Sequence, residues 1–170
     1  MRRQNGRCGR AGRARQRGAV SAWFVLALPA LLLLLALVAD VGRFFVLRAL
    51  AQNAADLGAL AGVQELDLAR LAEGERWLLT SQAEAAAYAV ADANARAALP
   101  GEPYVIETLA VNAAAGAPRR HPWSGRWLAD PTVSVRVTLN ARSFFLGGRR
   151  LPLRVQGDAS VIERPGFWED

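Results

Sequence analysis

The feature that most constrains this chain is an uncharged apolar run of 21 residues that begins at Ala19 and ends at Ala39. As an α-helix such a run is about 31 Å long, which matches the hydrocarbon thickness of a bilayer. Apolar stretches in the core helices of soluble proteins are shorter, so the length predicts a transmembrane helix. Pro29 is compatible with this, because membrane helices tolerate a proline kink.

Charge is distributed unevenly about this run. The first 18 residues hold seven arginines and no acidic residue, whereas residues 19–170 hold 14 arginines against 15 acidic residues. Because basic flanks stay in the cytoplasm, we expect a cytoplasmic arm and an extracytoplasmic remainder. The arginines that carry this orientation signal are Arg2, Arg3, Arg7, Arg10, Arg13, Arg15 and Arg17.

A cleaved secretory signal is the alternative interpretation of the run, because a basic arm before an apolar stretch is its general plan. Cleavage after Ala39 would place Leu37 where signal peptidases prefer a small residue, which favours an uncleaved anchor. The arm does not indicate a nucleic-acid partner, because such domains spread arginine over a folded face. The lipid bilayer is therefore the partner that the composition predicts.

Two helices are predicted beyond the cytoplasmic arm. Residues 40–66 lack proline and keep apolar residues at helical spacing, so the membrane helix is expected to continue through them. Small residues at Ala54, Gly58 and Gly62 predict close packing, either on the protein's own sheet or on another chain. After a charged connector, Ser81 and Glu84 are spaced as a capping box that would open a second helix.

From residue 104 onward the spacing of apolar residues changes from that of a helix to that of a strand. Alternating segments at 104–111, 131–140 and 153–161 predict a small antiparallel sheet, with a bulge at Gly157. The fold class is therefore α+β, with a long transmembrane helix that continues into a domain with a second helix. We divide the chain into a basic arm (1–18), a membrane helix with its continuation (19–66) and a small extracytoplasmic domain (67–170).

The sequence shows no constellation of catalytic or metal-ligating residues. His121 is the only histidine and lies in a loop between Arg120 and Pro122, which is typical of a solvated side chain. The acidic residues have no metal-ligand spacing, and no phosphate-binding glycine motif follows a strand. We therefore expect no catalysis, no cofactor, no metal and no small-molecule substrate. The tryptophan and arginine loop at 119–127 could stack a ligand or pack on the sheet.

Asp40 is the polar residue that we single out near the membrane. It follows the apolar run directly, and Arg43 lies three residues later, so the two are expected to pair on one helix face. The alternative is that Asp40 pairs with an arginine or a terminal amine of a partner protein.

Residues 15–62 carry Arg17-Gly18, Pro29, Asp40, Gly42-Arg43 and the run from Gln52 to Asp56. In this combination they resemble the N-terminal module of TadG-like (TadE/G-like) proteins of the tight-adherence, or Flp, pilus-assembly system. The resemblance implies a single-pass protein of the bacterial inner membrane with a pilin-like domain outside it. It also implies a structural, pseudopilin-like role beside other pilus-assembly or pilin-like membrane proteins. The similarity rests on Arg17, Gly18, Pro29, Asp40, Gly42, Arg43, Gln52, Asn53, Ala54, Ala55 and Asp56.

Two departures restrict what the resemblance implies. The fifth residue counted from Gly18 is Trp23, whereas processed pilins carry glutamate there, so peptidase processing is not implied. The DxSxS metal site of longer relatives is also missing from the sequence. An alternative function is a membrane-tethered binding or sensor subunit that uses the loop at 119–127.

Overall fold

A computed structural model describes residues 12–145 and 147–162, with side chains from residue 23 onward. The arginines Arg2, Arg3, Arg7 and Arg10 and the hairpin residue Leu146 lie outside the described residues, as do the side chains of Arg13, Arg15 and Arg17. The helices are α1 (Gly12–Gly62), α2 (Leu68–Ala72) and α3 (Thr80–Ala98). The strands are β1 (Tyr104–Val111), β2 (Arg119–Arg120), β3 (Trp127–Leu128), β4 (Thr132–Arg142) and β5 (Arg150–Ser160).

Helix α1 is continuous from the basic arm to the folded domain and contains Pro29. Its first described side chains, from Trp23 to Ala39, are exposed throughout, as expected of a lipid-facing helix. Within the described residues, α1 is the one helix long and apolar enough to cross a membrane. The predicted α+β class, with a long apolar helix ahead of a small antiparallel sheet, is confirmed.

The main sheet has the order β1-β4-β5 with both neighbours antiparallel to the central β4. Val133, Val135, Val137 and Leu139 are fully buried on the face that α1 and α3 cover. The predicted bulge at Gly157 is wrong, because Gly157 pairs in unbroken register with Val135. The glycine instead gives α1 room to approach the strand.

Helices α1 and α3 pack through small residues. The buried face of α3 consists of alanines four residues apart, Ala83, Ala87, Ala91 and Ala95. A methyl group on Gly58 would lie 2.7 Å from the Cβ atom of Ala91, and one on Gly62 would lie 2.8 Å from Val133. The small-residue stripe of α1 therefore packs within its own domain, on α3 as well as on the sheet.

The predicted capping box is wrong. Helix α3 begins at Thr80 with Leu79 in the cap position and no capping side chain. The Oε1 atom of Glu84 instead accepts a hydrogen bond from the backbone N–H of Ala110, at 2.9 Å. Glu84 therefore ties α3 to strand β1, since tertiary contact outweighs the local capping pattern.

The two ends of the domain are set by the antiparallel course of α1 and β4. From Asp40 to Gly62, α1 is about 33 Å long. Strand β4 begins near Gly62 and ends at Arg142, whose carbonyl accepts a hydrogen bond from Arg43. The β4–β5 hairpin loop therefore lies beside the end of the apolar run, and the loop at 112–131 lies at the far end of the domain.

Candidate functional site at the helix–hairpin junction

The carboxylate of Asp40 is buried at the point where α1 leaves its apolar run. It accepts three hydrogen bonds from the β4–β5 loop, which come from the Ser143 hydroxyl at 2.7 Å and from the backbone N–H groups of Phe144 at 3.1 Å and Phe145 at 2.7 Å. Only 4% of the Asp40 surface is exposed. Hydrogen bonds to a carboxylate are stronger than neutral ones, so Asp40 fixes the loop against the helix. We call these four residues the Asp40 clasp.

The predicted pair between Asp40 and Arg43 is wrong. Arg43 forms a salt bridge with Glu102 and donates a hydrogen bond to the carbonyl of Arg142. Its guanidinium also lies 5.1 Å from the centroid of the Phe144 ring. Arg43 therefore joins the α3–β1 turn to the base of the hairpin, and the loop amides satisfy Asp40 in its place.

A second contact joins α1 to strand β5 at Gly157. A methyl group there would lie 2.6 Å from the carbonyl carbon of Ala55 and 2.6 Å from the Oδ1 atom of Asp56. The Nε2 atom of Gln52 donates to Asp56 at 2.8 Å and to the carbonyl of Gln156 at 2.9 Å. The Gln-Asn-Ala-Ala-Asp segment of α1 is thus the surface that receives β5.

The resemblance residues divide into two groups in the structure. Those in contact with the C-terminal half are Asp40, Arg43, Gln52, Ala54, Ala55 and Asp56. Gly42 and Asn53 are exposed on α1, and Pro29 lies in its apolar run. The side chain of Arg17 and the surroundings of Gly18 lie outside what the structure describes.

His121 is buried, which contradicts the expectation of a solvated loop residue. Its surface is 1% exposed, and its Nδ1 atom accepts the backbone N–H groups of Trp123 and Ser124, each at 3.1 Å. The proton is therefore assigned to Nε2, which lies 2.7 Å from the hydroxyl oxygen of Ser134. Burial lowers the pKa of His121, and the charge of Asp158 only partly opposes this.

A hydrolase triad has the same residue types as His121, Ser134 and Asp158, but these three are hydrogen-bonded in a different order. Ser134 stands in the middle and donates its hydroxyl proton to Asp158 at 2.6 Å. A nucleophilic serine would need to give that proton to the histidine, whose facing nitrogen already carries one. This arrangement holds the loop on the sheet and does not activate a nucleophile.

The tryptophan and arginine loop at 119–127 packs on the face of the sheet that carries Ser134 and Arg136. The Trp123 ring lies 4.3 Å from the guanidinium of Arg136 and meets the His121 ring edge-on at 5.9 Å. Trp127 is 68% exposed and lies on the short β2–β3 ribbon. Of the two tryptophans proposed to stack a ligand, Trp123 is engaged within the protein and Trp127 faces solvent.

The described residues contain no group of three or more histidine, cysteine or acidic side chains that could hold a metal ion. The helix–hairpin junction is the candidate site, because it places a buried carboxylate of α1 against the β4–β5 hairpin. Its hairpin partners, Ser143 and Gln156, lie about 100 residues from their α1 partners in the sequence. The sequence signal that could have found them is the Ser-Phe-Phe turn directly after the clearest strand.

Comparison with known proteins gives one family match. Residues 18–65 match the family model described as putative Flp pilus-assembly TadE/G-like, and this segment is 48 of the 170 residues. No curated protein and no solved structure matches the chain. The matched segment carries all of the α1 residues that form the Asp40 and Gly157 contacts.

Proposed function

We propose that this chain, whose residues 18–65 match the TadE/G-like pilus-assembly family, is a membrane-anchored structural component of a tight-adherence pilus system. The family match is the observation that carries the proposal. The matched segment coincides with the part of α1 that is both a candidate membrane span and the support of the outer domain. Such a segment suits an anchor that holds a rigid domain at a fixed height above the bilayer.

In this proposal the chain crosses the bacterial inner membrane once, with its arginine arm in the cytoplasm and its α+β domain outside. The positive-inside rule supports this orientation. A pseudopilin-like role is supported by the arrangement of one long helix with a small sheet packed on its outer half. Its partners would be other pilus-assembly or pilin-like membrane proteins, met through the outer domain.

Cysteine labelling tests the orientation, because Cys8 is the single cysteine of the chain and lies in the basic arm. A membrane-impermeant maleimide should label Cys8 only after the membrane is permeabilised. A Leu68→Cys variant should be labelled in intact spheroplasts, since Leu68 is 75% exposed on the outer domain. Labelling of Cys8 in intact spheroplasts would refute the orientation, and N-terminal sequencing would show whether the arm is retained.

The role in pilus assembly is tested by deletion and complementation. Loss of the chain should remove surface pili from the shear fraction, and the wild-type gene should restore them. An Asp40→Ala variant that remains in the membrane should recover fewer pilus proteins in co-purification if the clasp presents the hairpin to a partner. Normal piliation in the deletion strain would refute the proposal.

The alternative of a membrane-tethered binding subunit now depends on Trp127, since Trp123 is engaged within the protein. A Trp127→Ala variant distinguishes the two functions. It should leave piliation unchanged if the chain is structural, and it should abolish the response to a ligand if the loop at 119–127 is a binding site.

A further inference from the structure

We propose that the β4–β5 hairpin tip is a second membrane contact, which inserts its phenylalanines at the bilayer interface and binds the phosphate groups of anionic phospholipids. This inference rests on α1 crossing the bilayer, as in the proposed function, but it does not depend on a role in pilus assembly. By the tip we mean the described residues 142–145 and 147–150.

The position of the tip follows from the Asp40 clasp. The apolar run is about 31 Å long and ends at Ala39, so Asp40 lies at the boundary of a hydrocarbon core about 30 Å thick. The headgroup layer extends about 5–8 Å beyond that boundary. Because the backbone N–H groups of Phe144 and Phe145 lie within 3.1 Å of the Asp40 carboxylate, the tip must lie inside the headgroup layer.

The side chains of the tip suit that layer. Phe144 is 68% exposed and Phe145 is 44% exposed, although the residues beside them in the clasp are buried. An exposed apolar patch on a folded domain marks an interaction surface, and phenylalanine is among the side chains that bury into a membrane interface. Arg43 lies 5.1 Å from the Phe144 ring centroid and so supports the ring on the side of the helix.

Charge on the hairpin points to an anionic partner. Residues 141–154 contain four arginines and no acidic residue. Arg142 and Arg150 stand directly opposite each other on β4 and β5, and both are exposed. Like charges in directly opposed positions repel, and no described acidic side chain forms a salt bridge with either of them. A phosphate group between the two strands would relieve this repulsion.

The far end of the domain also carries exposed arginines and the exposed Trp127, but it lies away from the end of the apolar run, so it provides the control. Arg119 and Arg120 are exposed on β2, and the length of β4, about 33 Å, separates them from the tip. They match Arg142 and Arg150 in number and charge. Removing either pair changes the net charge equally, and only one pair lies where a lipid headgroup can reach it.

Lipid affinity is the first test. Full-length protein in detergent micelles is titrated with phosphatidylglycerol or phosphatidylcholine of identical chains, and bound lipid is counted by native mass spectrometry. An arginine near an anionic surface contributes about fivefold to binding, so Arg142→Gln with Arg150→Gln should weaken phosphatidylglycerol binding roughly 25-fold. Arg119→Gln with Arg120→Gln should leave it unchanged. Equal affinity in both double variants, with unchanged circular dichroism, would overturn the charge assignment.

Depth in the bilayer is the second test. A fluorophore on Phe145→Cys, in a chain with Cys8→Ser, is compared in lipid nanodiscs with the same fluorophore on Leu68→Cys. Brominated lipids should quench the probe at position 145 at least threefold more than the probe at position 68. Equal quenching would show that the tip faces water or a protein partner and would overturn the inference.

These tests separate the inference from the function on which it rests. The nanodiscs contain no other pilus component, so incorporation without quenching refutes the hairpin contact alone. Failure of the chain to enter nanodiscs at all would refute the membrane anchor and, with it, both proposals.

Discussion

Replacing Gly157 with alanine should destabilise the α+β domain, because the added methyl group would collide with the backbone of α1. Its Cβ atom would lie 2.6 Å from the carbonyl carbon of Ala55, so α1 would have to retreat by about 0.8 Å to restore an ordinary contact of 3.4 Å. That shift would stretch the 2.9 Å hydrogen bond from Gln52 to the carbonyl of Gln156 beyond useful length.

The size of the destabilisation follows from the steric overlap and from the lost hydrogen bond. Overpacking of this kind costs about 1–3 kcal/mol, and the lost hydrogen bond adds about 1 kcal/mol. Alanine is favoured over glycine in a strand by about 0.5–1 kcal/mol, which offsets part of this destabilisation. We therefore expect a net loss of about 1–3.5 kcal/mol, which lowers the melting temperature by roughly 4–14 °C for a domain of this size.

The assay is thermal unfolding of the protein in detergent micelles, followed by near-ultraviolet circular dichroism of the α+β domain. Gly116→Ala is the matched control, because nothing lies within 4 Å of a methyl group there. It should melt within about 2 °C of the wild type. If Gly157→Ala also melts within about 2 °C of the wild type, α1 does not depend on close approach to β5, and the contact is not the junction inferred here.

Three further predictions concern buried polar groups. Asn112→Ala should cost about 2–4 kcal/mol in a thermal melt, because both backbone hydrogen-bonding groups of Leu78 lose their partner. Burial lowers the pKa of His121, so the unfolded chain takes up a proton below about pH 6.5 before the folded one does. Stability should therefore fall as pH decreases from 7.5 to 5, and the fall should be smaller in His121→Gln; an equal slope would contradict this. Asp40→Ala should speed amide exchange of Phe145 at least tenfold in hydrogen-exchange mass spectrometry, and an unchanged rate would show that the clasp does not hold the loop.

The sequence by itself determined the elements whose signals are local. The apolar run and its helical continuation, the strand at 104–111 and the alternation of β4 are periodic patterns, and the structure confirms them. Orientation in the membrane also follows from local composition and remains a prediction. A small antiparallel sheet after a long helix could be predicted from the sequence, because helices and strands each have their own spacing of apolar residues.

The tertiary structure decided which polar residues meet. Asp40 bonds to residues more than 100 positions away and not to Arg43, and Glu84 leaves its cap to bind β1. His121 is buried because a loop closes over Ser134, and Gly157 is required by a helix and not by a bulge. For Asp40 and Glu84 the local pattern predicted a partner three residues away, for His121 it predicted exposure to solvent, and for Gly157 it predicted a bulge. In the folded chain these residues contact other partners. A buried polar group must form its hydrogen bonds with whatever residues the packing brings within reach, and those residues can be far away in the sequence.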